Sequence, residues 1–171
     1  MKIKEKDSKI NYIRHIESMG KGLILFKDKV EKKAIGQNYH YFYEDKKKPP
    51  LDIAINPKNN LIEYVSFFAQ DEKIEQTRLN LNITFIDKSI EFYGFDINLL
   101  HPEERHMKNL KLIFDEGNLY LLDSKEIINL VGYKINYNNY ILFDYDNNFY
   151  GLLFRNISDS ELNEMKKSEV L

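Results

Sequence analysis

The 171-residue chain has no cysteine and no tryptophan, and holds only four prolines and seven glycines. The missing cysteine removes disulfides, a thiolate nucleophile and cysteine-ligated zinc together. No run approaches the roughly 18 apolar residues of a membrane-spanning helix. The opening MKIKEKDSKINYIRHIESMG lacks the continuous apolar stretch of a secretory signal. The expectation is a soluble, cytoplasmic protein in which Asn82-Ile83-Thr84 and Asn156-Ile157-Ser158 carry no meaning as glycosylation sites. Neither charge sign dominates: 25 basic against 27 acidic residues leave a net charge of −2, and nothing global favours nucleic acid. The run Lys46-Lys47-Lys48, set between Glu44-Asp45 and Pro49-Pro50, reads as a solvated loop rather than a phosphate site. Phosphate-cradling glycine loops and a Gly-x-Ser-x-Gly elbow are absent too.

What is present is an ordinary globular mixture, 43% hydrophobic and 30% charged. Twelve tyrosines and eleven phenylalanines favour sheets. The length suits one domain, residues 1–171, large enough to bury roughly 70% of its unfolded surface. Ile10, Ile13, Ile16 and Met19 recur at helical spacing between a cap at Asp7 or Ser8 and a stop at Gly20, which predicts a short N-terminal helix. GLILFKDKV, YHYFYE, LDIAIN, LIEYVSFFA, NLNITFI, IEFYGF, LKLIFD, LYLL, YKINY and YILFDYD read as strands, many joined by Asn- or Gly-containing turns. DEKIEQTRL is a short helix or an exposed connection. HPEERHMKN resembles a helix start with Pro102 in the first turn, and DSKEIINLVG a helix between Asp123 and Gly132. SDSELNEMKK predicts a C-terminal helix, with Ser158 and Glu161 spaced as a capping box. The fold class is therefore α+β, β-dominated: antiparallel sheets built from hairpins, a short N-terminal helix, one or two connecting helices and a C-terminal helix. LDIAINPKNNLIEYVSFF and YILFDYDNNFYGLLF share one plan, strand–turn–aromatic strand; an ancient duplication would give this echo, but hairpins also resemble each other by physics alone, which is the favoured reading.

Chemistry-bearing patterns are few. Asp144, Asp146 and Asn148 begin like a calcium loop, but Phe149 stands where glycine must bend it and Arg155 where a carboxylate must close it. A β-hairpin fits better, with Ile141, Phe143 and Tyr145 inward and Asp144 and Asp146 on the solvated side. His101 and His106, five apart around Glu103-Glu104, miss the spacing of a zinc-binding helix. His40 reads as a packing residue and His15 as part of an amphipathic helix. No metal or cofactor is expected. The tyrosines of YHYFYE, Tyr39, Tyr41 and Tyr43, offer broad rigid faces with polar tips, the kind of surface enriched at interfaces.

In type, this cysteine-free, mildly acidic, motif-poor chain is similar to small bacterial antagonists: immunity proteins of polymorphic toxins and phage-encoded inhibitors of defence systems. That resemblance implies occlusion by surface complementarity and transfers no site. The leading expectation is a non-catalytic binding protein, with Tyr39, Tyr41, Tyr43, Asp144 and Asp146 as partner contacts. Its partner would be a protein, such as a basic toxin or nuclease domain, and neither a membrane nor nucleic acid. The alternatives are an enzyme with a convergent His–carboxylate site near HPEERH, or a structural homo-oligomer subunit.

Overall fold

A computed structural model describes residues 1–45, 48–96, 100–126 and 128–171. Fifteen strands and one helix follow one another: β1 (Lys2–Lys6), β2 (Tyr12–Gly20), β3 (Leu23–Val30), β4 (Tyr39–Glu44), β5 (Leu51–Asn56), β6 (Leu61–Gln70), β7 (Glu75–Gln76), β8 (Asn82–Ile86), β9 (Ser89–Tyr93), β10 (Glu103–Met107), β11 (Leu110–Asp115), β12 (Asn118–Asp123), β13 (Asn129–Lys134), β14 (Asn139–Phe143), β15 (Phe149–Phe154) and α1 (Asp159–Lys167). They form a six-stranded sheet ordered β10-β4-β5-β6-β3-β2, a seven-stranded sheet ordered β7-β11-β12-β15-β14-β13-β8, and the two-stranded ribbon β1-β9.

The strand content and the C-terminal helix match the sequence reading; the other helices do not. The predicted N-terminal helix is β2, laid antiparallel on β3. A helical spacing over one short segment competes here with a hairpin, and Gly20 ends β2 just before the Lys21-Gly22 turn rather than stopping a helix. Gly20 and Gly22 take positive φ values of 130° and 74°, and a Cβ on Gly22 would stand 2.7 Å from the Asp71 carboxylate. The connecting helices are strands as well. Within HPEERHM, Glu103–Met107 form β10, parallel to β4, and Pro102 precedes an edge strand rather than opening a helix. Asp123, expected as a helix cap, ends β12; Gly132 lies inside β13, where a Cβ would press on Ile83 and Leu142 at 3.2 Å. DEKIEQTRL contains the two-residue strand β7. Pairing is antiparallel inside both large sheets, but β10, β7 and β8 join their edges in parallel, so the sheets are mixed.

One core lies between the two large sheets. Phe26, Tyr41, Ile53 and Phe67 from the first face Leu119, Ile141, Leu152 and Phe154 from the second, and Met165 of α1 closes one side. Phe67 and Phe154 stack across the sheets at 5.7 Å. A smaller cluster, Ile113, Leu122, Leu130, Leu142, Tyr150 and Leu153, covers the other face of the seven-stranded sheet. Residues 77–81 strap it, with Leu79 and Leu81 packed on it. That strap joins β7 to β8, opposite edges of the same sheet. Seven flat strands would set those edges about 29 Å apart at ~4.8 Å spacing. The six residue steps from Gln76 to Asn82 reach only about 21 Å. The sheet must curl around its outer cluster, concave toward the strap.

Candidate functional site

The β14–β15 hairpin supplies the most exposed chemistry among the sequence-predicted residues. Asp144 organises its turn: Oδ1 accepts the backbone N–H of Asp146 at 2.9 Å and of Asn148 at 2.8 Å, while Oδ2 accepts the Asn148 side-chain amide at 3.0 Å. This is an Asx-type turn, in which a short carboxylate replaces a backbone acceptor. Asn147 takes the left-handed conformation, φ 61°, that asparagine tolerates. Asp146 makes no ion pair among the described residues, and neither does Asp144. Between them Tyr145, expected to point inward, is 65% exposed. The hairpin's alternation ends at Phe143, which is buried, so the turn begins one residue before Tyr145 could reach the core.

Next to this turn runs an open groove of about 700 Å³, lined in part by Tyr43, His106, Lys108, Asp123, Asp144 and Asp146. Two sheets build it. β15 carries a bulge where the register with β14 shifts, Leu142 opposing Gly151 while Phe143 opposes Phe149, and Tyr150 is the extra residue. The bulge turns Phe149 into the inter-sheet space, where its ring stacks on Tyr43 of β4 at 4.3 Å. Tyr43 stacks on its other side against His106 of β10 at 5.5 Å. Along β10, Glu104 and His106 share a face, and His106 Nε2 lies 3.3 Å from Glu104 Oε2. Glu104 Oε1 accepts the Tyr39 hydroxyl at 2.9 Å. Burial first, and then this carboxylate, push the Tyr39 phenol up to about 12, so it stays a donor. On the far wall Lys108 donates to Asp123 at 2.5 Å, an ion pair that neutralises a buried carboxylate.

The five sequence-predicted contact residues thus divide. Tyr43, Asp144 and Asp146 meet at the groove. Tyr39, Tyr41 and Tyr43 place their rings in the inter-sheet core at 3%, 1% and 4% exposure. The alternation in YHYFYE has the opposite sense from an aromatic interface: the tyrosines turn inward, while His40, Phe42 and Glu44 turn outward. On that outer face His40 Nδ1 lies 2.8 Å from Asp52, and Tyr64 donates to the same carboxylate at 2.7 Å. Arg105 lies over the Phe42 ring at 4.7 Å. His15, read as helical, is on β2, and its Nε2 is buried without a partner. Lys48 is paired with Glu72 and Asp45, while the other two lysines of its run lie outside the described residues. Among the described residues no three His, Asp or Glu side chains come together as a metal site.

Sequence reasoning missed Tyr145 as a surface residue and His106 as a groove residue. An early turn at Asp144 and strand alternation in EERHM are the signals that would have found them. No protein-family model and no curated protein matches the chain. No helix among the described residues is long and apolar enough to cross a membrane.

Proposed function

We propose that this chain is a non-catalytic, cytoplasmic binding protein that engages a basic protein partner through the β14–β15 turn and the groove beside it. In its narrower form it is an immunity-type antagonist that covers a toxin or nuclease domain. One observation carries the reading: Tyr145 stands 65% exposed between two carboxylates that have no ion-pair partner among the described residues, on a turn fixed by its own hydrogen bonds. An exposed aromatic on a pre-ordered loop loses little freedom on binding, and aromatic anchors carry a large share of interface energy. Uncompensated acids around it accelerate encounter with a cationic surface.

The test is comparative capture from the native host with the wild type, Tyr145→Ala and Asp146→Lys. The reading expects a partner with a basic contact surface, held by the wild type and lost or weakened by at least about tenfold in both variants. A partner held equally by all three sinks it.

A second reading rests on the Tyr39–Glu104–His106 relay at the groove wall, which resembles the base-and-orienter arrangement of a hydrolytic centre. His106→Gln, read for turnover and for partner capture together, separates the two. Loss of a hydrolytic turnover in this variant with partner capture retained would favour the enzyme.

A further inference from the structure

Away from this groove, a second pocket of about 280 Å³ opens between the β1–β2 connection, the β3–β4 connection and the β5–β6 hairpin. At its floor is Glu63 of β6, whose side chain is 3% exposed. Its Oε1 accepts the Asn38 amide at 3.3 Å, and its Oε2 accepts the Asn56 amide at 2.7 Å. Both donors are neutral. The nearest cation, Lys33, stays 3.8 Å from Oε1 on an arm that is 71% exposed. A carboxylate offers about four acceptor positions, so Glu63 keeps unused ones in a place where charge is costly to hold unpaired. The Asn38 side-chain oxygen is buried with no hydrogen-bond partner among the described residues. Asn38 itself stands behind Glu63, outside the pocket lining, and leaves the carboxylate as the group that faces the pocket. A buried carboxylate short of donors matches a group carrying several N–H bonds and a positive charge. The walls are Ile10, Val30, Ala34 and Ile62, while Lys9, Lys32 and one acid, Glu31, stand on the lining, so cations outnumber acids at its rim.

We propose that this pocket binds a small zwitterion of amino-acid type: its ammonium group on Glu63, its aliphatic chain on the apolar walls, its carboxylate toward Lys9 and Lys32. The lysines are the reason for choosing a zwitterion over a simple amine, since they repel a ligand that carries only positive charge. Lys33 competes for Glu63 from outside. The site lies apart from the proposed partner surface and does not depend on it.

The test uses three probes with one hydrocarbon: L-leucine, 3-methylbutylamine, which lacks the carboxylate, and 4-methylpentanoate, which lacks the ammonium. Titration of the full chain is followed by amide shift changes in residues 31–34 and 62–64. The wild type is expected to bind leucine most tightly, the amine more weakly and the acid not at all. Glu63→Gln, which keeps the shape and removes the charge, should weaken leucine by at least about tenfold, and Lys33→Ala should tighten it. Ala34→Phe fills the pocket without touching Glu63 and should abolish binding in a folded protein, so a misfolded Glu63→Gln would not shield the proposal. No binding of leucine at millimolar concentration, tightest binding by the acid or the amine, or leucine binding that survives both Glu63→Gln and Ala34→Phe overturns it.

Discussion

Acidifying this protein from neutrality should at first strengthen one of its internal joints, against the usual direction. Asp28 of β3 is fully buried. Two asparagines of the seven-stranded sheet's β13–β14 region hold it: Asn136 reaches both carboxylate oxygens at 2.9 and 2.8 Å, and Asn139 reaches Oδ2 at 2.8 Å. Burial pushes its pKa from 3.8 up to about 6, against the opposing pull of Asn139, Asn136 and the Arg14 charge. A folded-state value above the unfolded one means that the folded protein binds the proton more tightly. The stabilisation is therefore complete below about pH 3.8 and is lost as pH rises through about 6. At ~1.36 kcal/mol per pKa unit the full difference is about 3 kcal/mol. The perturbation is Asp28→Asn, and the assay is urea unfolding of both proteins from neutral pH to about pH 4. The wild type should gain about 2 kcal/mol of that relative to the variant over that range, the remainder appearing only at lower pH. Glu161 works the other way: burial raises it, but Arg14 and Ser158 together outweigh this and hold its carboxyl low, so its contribution fades as acid is added. That effect is common to both proteins and cancels in the difference. A difference that stays flat with pH, or falls on acidification, would refute the reasoning.

Arg14 should matter for stability more than its place on an edge strand suggests. It donates to Glu161 at 2.7 and 2.8 Å, to the Asn139 side chain at 3.0 Å and to the Arg155 carbonyl at 2.7 Å, joining β2, the second sheet and α1. Arg14→Met should cost about 3 kcal/mol in urea unfolding, because it strands a mostly buried carboxylate. Gly151→Ala should cost at least the ~1–3 kcal/mol of an overpacked core, since a Cβ there would lie 2.1 Å from the Leu121 carbonyl oxygen, and thermal unfolding will read it. Ser158→Ala removes the acceptor for the Glu161 N–H and should lower stability by about 1 kcal/mol, seen as a lower urea midpoint. Asp144→Ala should destabilise by about 1–2 kcal/mol through its three lost turn bonds, whereas Asp146→Ala should leave the urea midpoint unchanged.

Strand existence was legible because the relevant signals are local. Leu51, Ile53 and Ile55 are inward as their alternation predicts, and β6 lies inside its sheet between β5 and β3, as apolar residues on both its faces imply, although beyond Glu63 only one of those faces is fully buried. The capping box at Ser158 and Glu161 is another local signal, formed as read. The β2 segment misled because four apolar residues at helical spacing fit two structures, and the choice was made by a partner strand that a local window does not contain. HPEERHM misled because acids after proline look alike ahead of a helix and along a charged edge strand. There the charges serve another purpose: Arg105 pairs with Glu103 and with Glu44 of the neighbouring strand. Of the candidate site, the acids and the turn were readable; the groove was not, because Tyr43, His106 and Phe149 come together only across two sheets.

The parallel edges share one physical origin. A hairpin turn can return a chain only antiparallel, so a parallel neighbour has to arrive from elsewhere in the sequence. β10 reaches β4 after more than fifty residues, and β7 and β8 reach opposite edges of one sheet through a strap too short to cross it flat. Each of these strands depends on a sheet already in place, and the strap depends on that sheet being curled. The predicted order of stability follows: β8, exposed along much of its length and tied to β13 alone, should exchange its amide hydrogens well before β15, which is buried throughout between β12 and β14. The same gradient reaches the proposed partner surface. The β14–β15 turn is anchored on the most deeply buried strand of its sheet, so Tyr145 and Asp146 are presented from a rigid base even though their side chains are in solvent. Protection of the β15 amides lower than that of β8 would break the link between burial and pre-ordering on which that surface rests.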